Sequence, residues 1–105
     1  MKMDETLTRS ELIARLAERV PDLSRHHVGA GVRRLLDTLS EALADGERIE
    51  IRSFGAFALR RRPSRQVRNP KTGERLEIGS KAMPHFRPGK ELRERVTASA
   101  LKEKA

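Results

Sequence analysis

The residues of this 105-residue chain with the most chemistry to offer are cations, and they are crowded together. Between Arg52 and Arg75 stand eight Lys or Arg residues and a single acid, Glu74, so this stretch carries +7 of the chain's +8 net charge. A field so concentrated points to a polyanion, either nucleic acid or an anionic membrane surface. The plainer reading is a solvated basic edge that keeps a strand from aggregating. Arg60, Arg61, Arg62, Arg65, Arg68, Lys71 and Arg75 exceed what solubility requires. Bond-making chemistry has far less to work with. There is no cysteine, which excludes thiol nucleophiles, disulfides and zinc-thiolate sites. His26, His27 and His85 lack metal-ligand spacing and read as a helix start and a strand-to-helix joint. No Ser-His-Asp set and no phosphate-cradling glycine loop can be assembled, so neither an enzyme nor a cofactor is expected.

The elements that must position these cations are legible from periodicity. Thr8 followed by Glu11 fits a capping box, and Leu12, Ile13, Leu16, Ala17 and Val20 then form an apolar stripe that Pro21 ends. Ser24 caps a second helix, whose Val28, Val32, Leu35, Leu36, Leu39 and Leu43 keep the helical period until Gly46 supplies a left-handed stop. Gly29 and Gly31 lie inside this helix at a cost of ~1 kcal/mol each. Close approach of the two helices is the preferred reason, simple tolerance the other. A helix-turn-helix reader is disfavoured, because the second helix has a nearly complete apolar face and few polar residues free for base edges.

From Glu47 the period changes to two. Ile49 and Ile51 face a core, while Arg48, Glu50 and Arg52 face away. Phe54-Gly55 is expected to turn the chain into a second strand with Phe57 and Leu59 inward. Beyond Leu59 the apolar pattern stops. Asn69-Pro70-Lys71-Thr72-Gly73 is turn sequence, and Leu76 and Ile78 resume alternation. Residues 60–83 are therefore expected to form one two-stranded ribbon with its tip near Pro70, its legs ~10 residues and ~30 Å long. A hairpin without a core is marginal in water. The tail from Pro88 reads as a short helix through Leu92 and Val96, with ends 1–7 and 97–105 flexible.

The chain is expected to be one domain, 1–105, of α+β class: a two-helix body, a three-stranded antiparallel sheet with a long ribbon arm, and a short C-terminal helix. At this length one chain buries a modest fraction of its surface, so a partner subunit is expected. The start Met1-Lys2-Met3-Asp4-Glu5 is acidic where a signal peptide is apolar, and no apolar run approaches the ~20 residues of a membrane span. A soluble cytoplasmic protein with no membrane partner is expected.

Two segments carry a resemblance. Arg68-Asn69-Pro70-Lys71-Thr72-Gly73 and Phe54-Gly55-Ala56-Phe57 resemble the arm tip and strand turn of the HU and integration host factor family of bacterial DNA-bending proteins. Gly46-Glu47-Arg48-Ile49-Glu50-Ile51-Arg52 and Pro84-His85-Phe86-Arg87-Pro88-Gly89-Lys90-Glu91-Leu92-Arg93 are most similar to its integration host factor beta branch. The resemblance runs from about Leu7 to Val96. Ser53 and Val67 depart from it, standing where the family commonly has glycine.

The resemblance implies an intertwined dimer, either with itself or with an alpha-type chain, whose arms lie in the minor groove of double-stranded DNA. It implies that Pro70 wedges between base pairs and that the duplex bends around the body, in support of recombination, transcription and replication at the nucleoid. Taken alone, Pro70 reads first as a turn former. The residues carried over as DNA-binding are Arg48, Glu50, Arg52, Arg60, Arg61, Arg62, Arg65, Arg68, Asn69, Pro70, Lys71, Arg75, Lys81, Arg87 and Lys90. Glu50 is expected to orient Arg52 for sequence readout, the plainer reading being a surface ion pair. The alternative within the class is an HU-like protein with little sequence preference. An RNA-binding protein is weaker, because the ribbon has no aromatic for base stacking.

Overall fold

A computed structural model describes residues 5–104. Helix α1 spans Arg9–Arg19 and α2 spans Arg25–Ala44. Their starts are fixed as their sequences require. The Glu11 amide donates to Thr8 Oγ1 at 3.3 Å, and the His27 amide donates to Ser24 Oγ at 3.2 Å. At the end of α2, Gly46 adopts φ +84°. Its amide donates to the Leu43 carbonyl while that of Glu47 reaches the Ala42 carbonyl, both at 3.0 Å, a double bond pattern that closes the last turn.

Five strands follow: β1 (Ile49–Ile51), β2 (Gly55–Arg62), β3 (Arg65–Arg68), β4 (Arg75–Ile78) and β5 (Lys81–Pro88), then α3 (Lys90–Lys104). The strands form two sheets, β1-β2-β5 and β3-β4, all antiparallel. The two-stranded ribbon expected over 60–83, with its tip near Pro70, is present, its ladder interrupted between Arg62–Lys81 and Arg65–Ile78. Pro63-Ser64 on one leg faces Gly79-Ser80 on the other, and proline has no amide to donate to a ladder.

Two expectations are corrected. The chain reverses through Arg52–Phe54, with Phe54 N–H donating to the Ile51 carbonyl at 3.0 Å, and Gly55 already belongs to β2. The tail beyond Thr97 continues α3 as helix to Lys104, so that helix has 15 residues and is not short. Between Lys90 and Ala105 there is neither Pro nor Gly to stop it. The remaining calls on the ends, residues 1–4 and Ala105, lie outside the described residues. No described helix is long and apolar enough to cross a membrane.

The core is small. Ile13 of α1 packs on Val28 and Val32 of α2, and these are the buried apolar residues. A β-carbon on Gly29 would stand 3.3 Å from Arg33 Nη1 of its own helix and 3.7 Å from Ile13 Cδ1, an ordinary contact with α1, and at Gly31 it would meet nothing within 4 Å, so close helix approach does not account for either glycine. Farther along α2, Leu35 is 57% exposed and Leu36 38%. The radius of gyration is 19.8 Å, against about 13 Å for a compact chain of this length. One chain therefore presents an apolar helix face that it does not cover.

The turn before β2 carries strain and a tight fit. Ser53 has φ +67°, a left-handed conformation that costs a residue with a side chain about 1–2 kcal/mol. Beside it, a β-carbon on Gly55 would come 2.6 Å from the Arg87 carbonyl oxygen and 2.7 Å from the Phe86 ring. Gly55→Ala is expected to lower stability by about 1–3 kcal/mol, and Ser53→Gly to raise it by up to about 1 kcal/mol. Denaturant melts of the two variants check both signs.

Candidate nucleic-acid interface

Alternation sorts the β1-β2-β5 sheet into two chemically distinct faces. Ile49 pairs with Phe57, Phe57 with Phe86, and Leu59 with Pro84, which makes one face apolar. Phe86 sits with its ring centroid 4.8 Å from Phe57 and 5.4 Å from Phe54. Leu59, Ala82 and Pro84 border an apolar cleft together with Leu43 and Ala44 at the end of α2. The opposite face carries Ala56 paired with Arg87, Ala58 with His85, Arg60 with Met83 and Arg62 with Lys81. It is cationic, and its floor is alanine. Small residues between long arginines let a bulky polyanion come down close to the backbone.

On this face Arg48, Arg60, His85 and Arg87 surround a pocket of about 160 Å³ floored by Ala56 and Ala58. His85, read from sequence as a joint, therefore lines this cationic pocket, a placement that sequence reasoning missed. Counting back by twos from Arg87 to His85, Met83 and Lys81 would have found it. Glu50, Arg52 and Arg87 line a second, larger cleft with Lys90, Glu91 and Glu94 at the start of α3. The Gly89 amide donates to the Phe54 carbonyl at 2.8 Å, which ties that helix start to the turn.

One expected pairing is not seen. Glu50 accepts from Arg48, at 3.3 Å from Nε and 3.2 Å from Nη2, and not from Arg52. The reason is local geometry. Arg52 lies past the end of β1 in the turn, so strand alternation no longer aims it alongside Glu50. Both partners are largely exposed, and such a pair is worth little to stability.

The arm is organised by its tip. Asn69 Oδ1 accepts from the Lys71 amide at 2.9 Å and the Asn69 carbonyl accepts from the Gly73 amide at 2.8 Å. Thr72 Oγ1 accepts from the Glu74 amide at 3.3 Å, and Gly73 takes φ +74°. These bonds leave Pro70 exposed at the apex. Val67 pairs with Leu76 and Arg65 with Ile78 on one face of the arm, Gln66 with Glu77 and Arg68 with Arg75 on the other. The carried-over cations thus fall into groups. Arg48, Arg60 and Arg87 gather at the pocket, Arg62 opposes Lys81, and Arg68 opposes Arg75. Arg61 and Arg65 point to the reverse faces.

A helical body, a sheet with one cationic face and a basic ribbon define a class of small α+β proteins that hold an anionic polymer by a β-ribbon. Residues 7–97 match the family described as bacterial DNA-binding protein, and the chain belongs to it. It is 56% identical over 94 residues to integration host factor subunit beta of Paraburkholderia phytofirmans, covering 90% of this chain and 88% of the relative. The same subunit of Herminiimonas arsenicoxydans is 56% identical over 92 residues, covering 88% and 91%. Among solved structures, Anabaena HU in a cocrystal with DNA is similar with a TM-score of 0.73 and 35% identity, covering 85% of this chain and 96% of that one. An HU variant from Thermotoga maritima gives 0.62 and 31%, covering 85% and 97%.

Like charges directly opposite across strands destabilise a ladder. Arg75→Glu is expected to strengthen the β3-β4 pairing by about 0.2–1 kcal/mol. Slower amide hydrogen exchange in those two strands checks it.

Proposed function

We propose that this chain is one subunit of a dimeric architectural protein that binds duplex DNA through β-ribbon arms in the minor groove and bends it sharply. The observation that carries this is a cationic, alanine-floored sheet face joined to a basic two-stranded arm whose tip holds Pro70 exposed. The role is structural and not catalytic, and its place is the nucleoid.

Proline suits a wedge between base pairs because it offers a compact apolar face and no N–H to leave unsatisfied, a mechanism for which integration host factor is itself a type example. Arg68 and Lys71 flank it to hold phosphates. Bending costs several kcal/mol, offset by the extra cationic surface that bent DNA reaches. The second subunit covers the apolar face of α2, either as a second copy or as an alpha-type chain. Identity of 56% to beta subunits against 31–35% to HU proteins favours the integration host factor type over an HU-like coat. Competition between a preferred site and random DNA at one stated salt separates those two.

Two outcomes are expected. Pro70→Ala leaves the melting temperature nearly unchanged, since the tip is exposed, and reduces bending read by energy transfer between dyes on the DNA ends. In wild type, the log-log slope of affinity against salt is steeper than about −3. Sedimentation at micromolar concentration should show a dimer; a folded monomer there would remove the dimeric reading.

A further inference from the structure

We propose that Arg48, Arg60, His85 and Arg87 form one phosphate-binding pocket, and that His85 couples its occupancy to proton uptake. This rests on the DNA-bending reading above. The four side chains line a single cavity of about 160 Å³ whose remaining walls are Ala56 and Ala58. At ~30 Å³ per water, that space admits a tetrahedral anion with part of its hydration shell.

His85 stands directly across from Ala58, so no large side chain separates the imidazole from the opening. It is half-buried, and its imidazole makes no hydrogen bond to any described residue. The charged groups facing it are Arg48 and Glu50 from the β1 edge, Arg60 from β2 and Arg87 from β5. Glu50 is already held by Arg48 at 3.2 Å. The other two histidines lie elsewhere, at the start of α2, where His27 Nδ1 is 2.7 Å from Ser24 Oγ.

Histidine is the side chain whose charge ordinarily changes between about pH 5 and 8, whereas a phosphodiester stays anionic throughout. A phosphate seated in the pocket neutralises guanidinium charge and offers acceptors on several sides. Neutral imidazole donates one hydrogen bond; imidazolium donates two and adds a charge-assisted term. The bound state therefore favours the protonated ring. Binding takes up as much as one proton per subunit, and affinity rises as pH falls.

The test is the affinity of the purified protein for a linear duplex at about pH 6 and about pH 8, at one salt concentration. Wild type is expected to bind several-fold to about tenfold tighter per subunit at the lower pH. His85→Gln should lose that dependence and bind at the high-pH level, His85→Lys should bind tightly at both, and His26→Gln should keep the wild-type dependence. Calorimetry of wild type in buffers of different ionisation heat measures the proton uptake directly, whatever the variants do to folding. A wild-type pH dependence that survives in folded His85→Gln, or zero proton uptake, overturns the proposal while leaving DNA bending intact. A folded dimer that binds no duplex at either pH overturns both.

Discussion

The antiparallel ladder between β2 and β5 is the interaction on which the other features lean. Its eight pairs, from Gly55 opposite Pro88 to Arg62 opposite Lys81, are the longest strand pairing in the molecule. Because side chains alternate, one ladder serves two purposes at once. Phe57, Leu59 and Phe86 close toward the helices, and Arg60, Arg62, Lys81 and Arg87 are held on the other side at fixed spacing. A slip of one residue would exchange the faces, burying arginine and exposing phenylalanine. The close approach of Gly55 to the Arg87 carbonyl fixes the register at one end, where no larger residue fits.

Charge and burial are kept apart along the chain. The helices supply apolar surface beyond what one chain uses, with three apolar side chains buried among the described residues and much of α2 uncovered. The ribbon supplies cations beyond what a free ribbon tolerates, with Arg62 facing Lys81 and Arg68 facing Arg75. Each surplus is unfavourable in the isolated subunit. Each is relieved by a different partner: apolar surface by another protein chain, and crowded cations by a polyanion. The isolated chain is thus two unfinished interfaces joined by one sheet.

Most of this was legible in the sequence where a local rule governs. Thr8, Ser24 and Gly46 mark helix ends through backbone chemistry that needs no tertiary knowledge, and the structure places the ends there. A single residue that interrupts a period is not legible in this way. Alternation carried through Arg52 predicts that residue beside Glu50, but Ser53 in the left-handed region takes the chain out of the strand, and without DNA the carboxylate is held by Arg48. Within the ribbon expected over 60–83, Pro63 has no amide to donate, and the ladder is interrupted beside it. His85 reads as a joint because its neighbours Pro84 and Phe86 belong to the apolar face, and only the cross-strand partner Ala58 shows which way it looks.

The gap at Pro63-Ser64 and Gly79-Ser80 has a consequence for cooperativity. Hydrogen-bonded ladders melt as units, and a seam with no cross-strand bonds divides one unit from the next. The β3-β4 hairpin, with four residue pairs and no core beneath it, can open and reclose many times for each global opening of the body. The molecule thus has a stiff trunk and a compliant finger within one polypeptide. Mutations that retune the finger for a different groove would leave the trunk's thermal stability untouched, so the two parts are free to evolve at different rates.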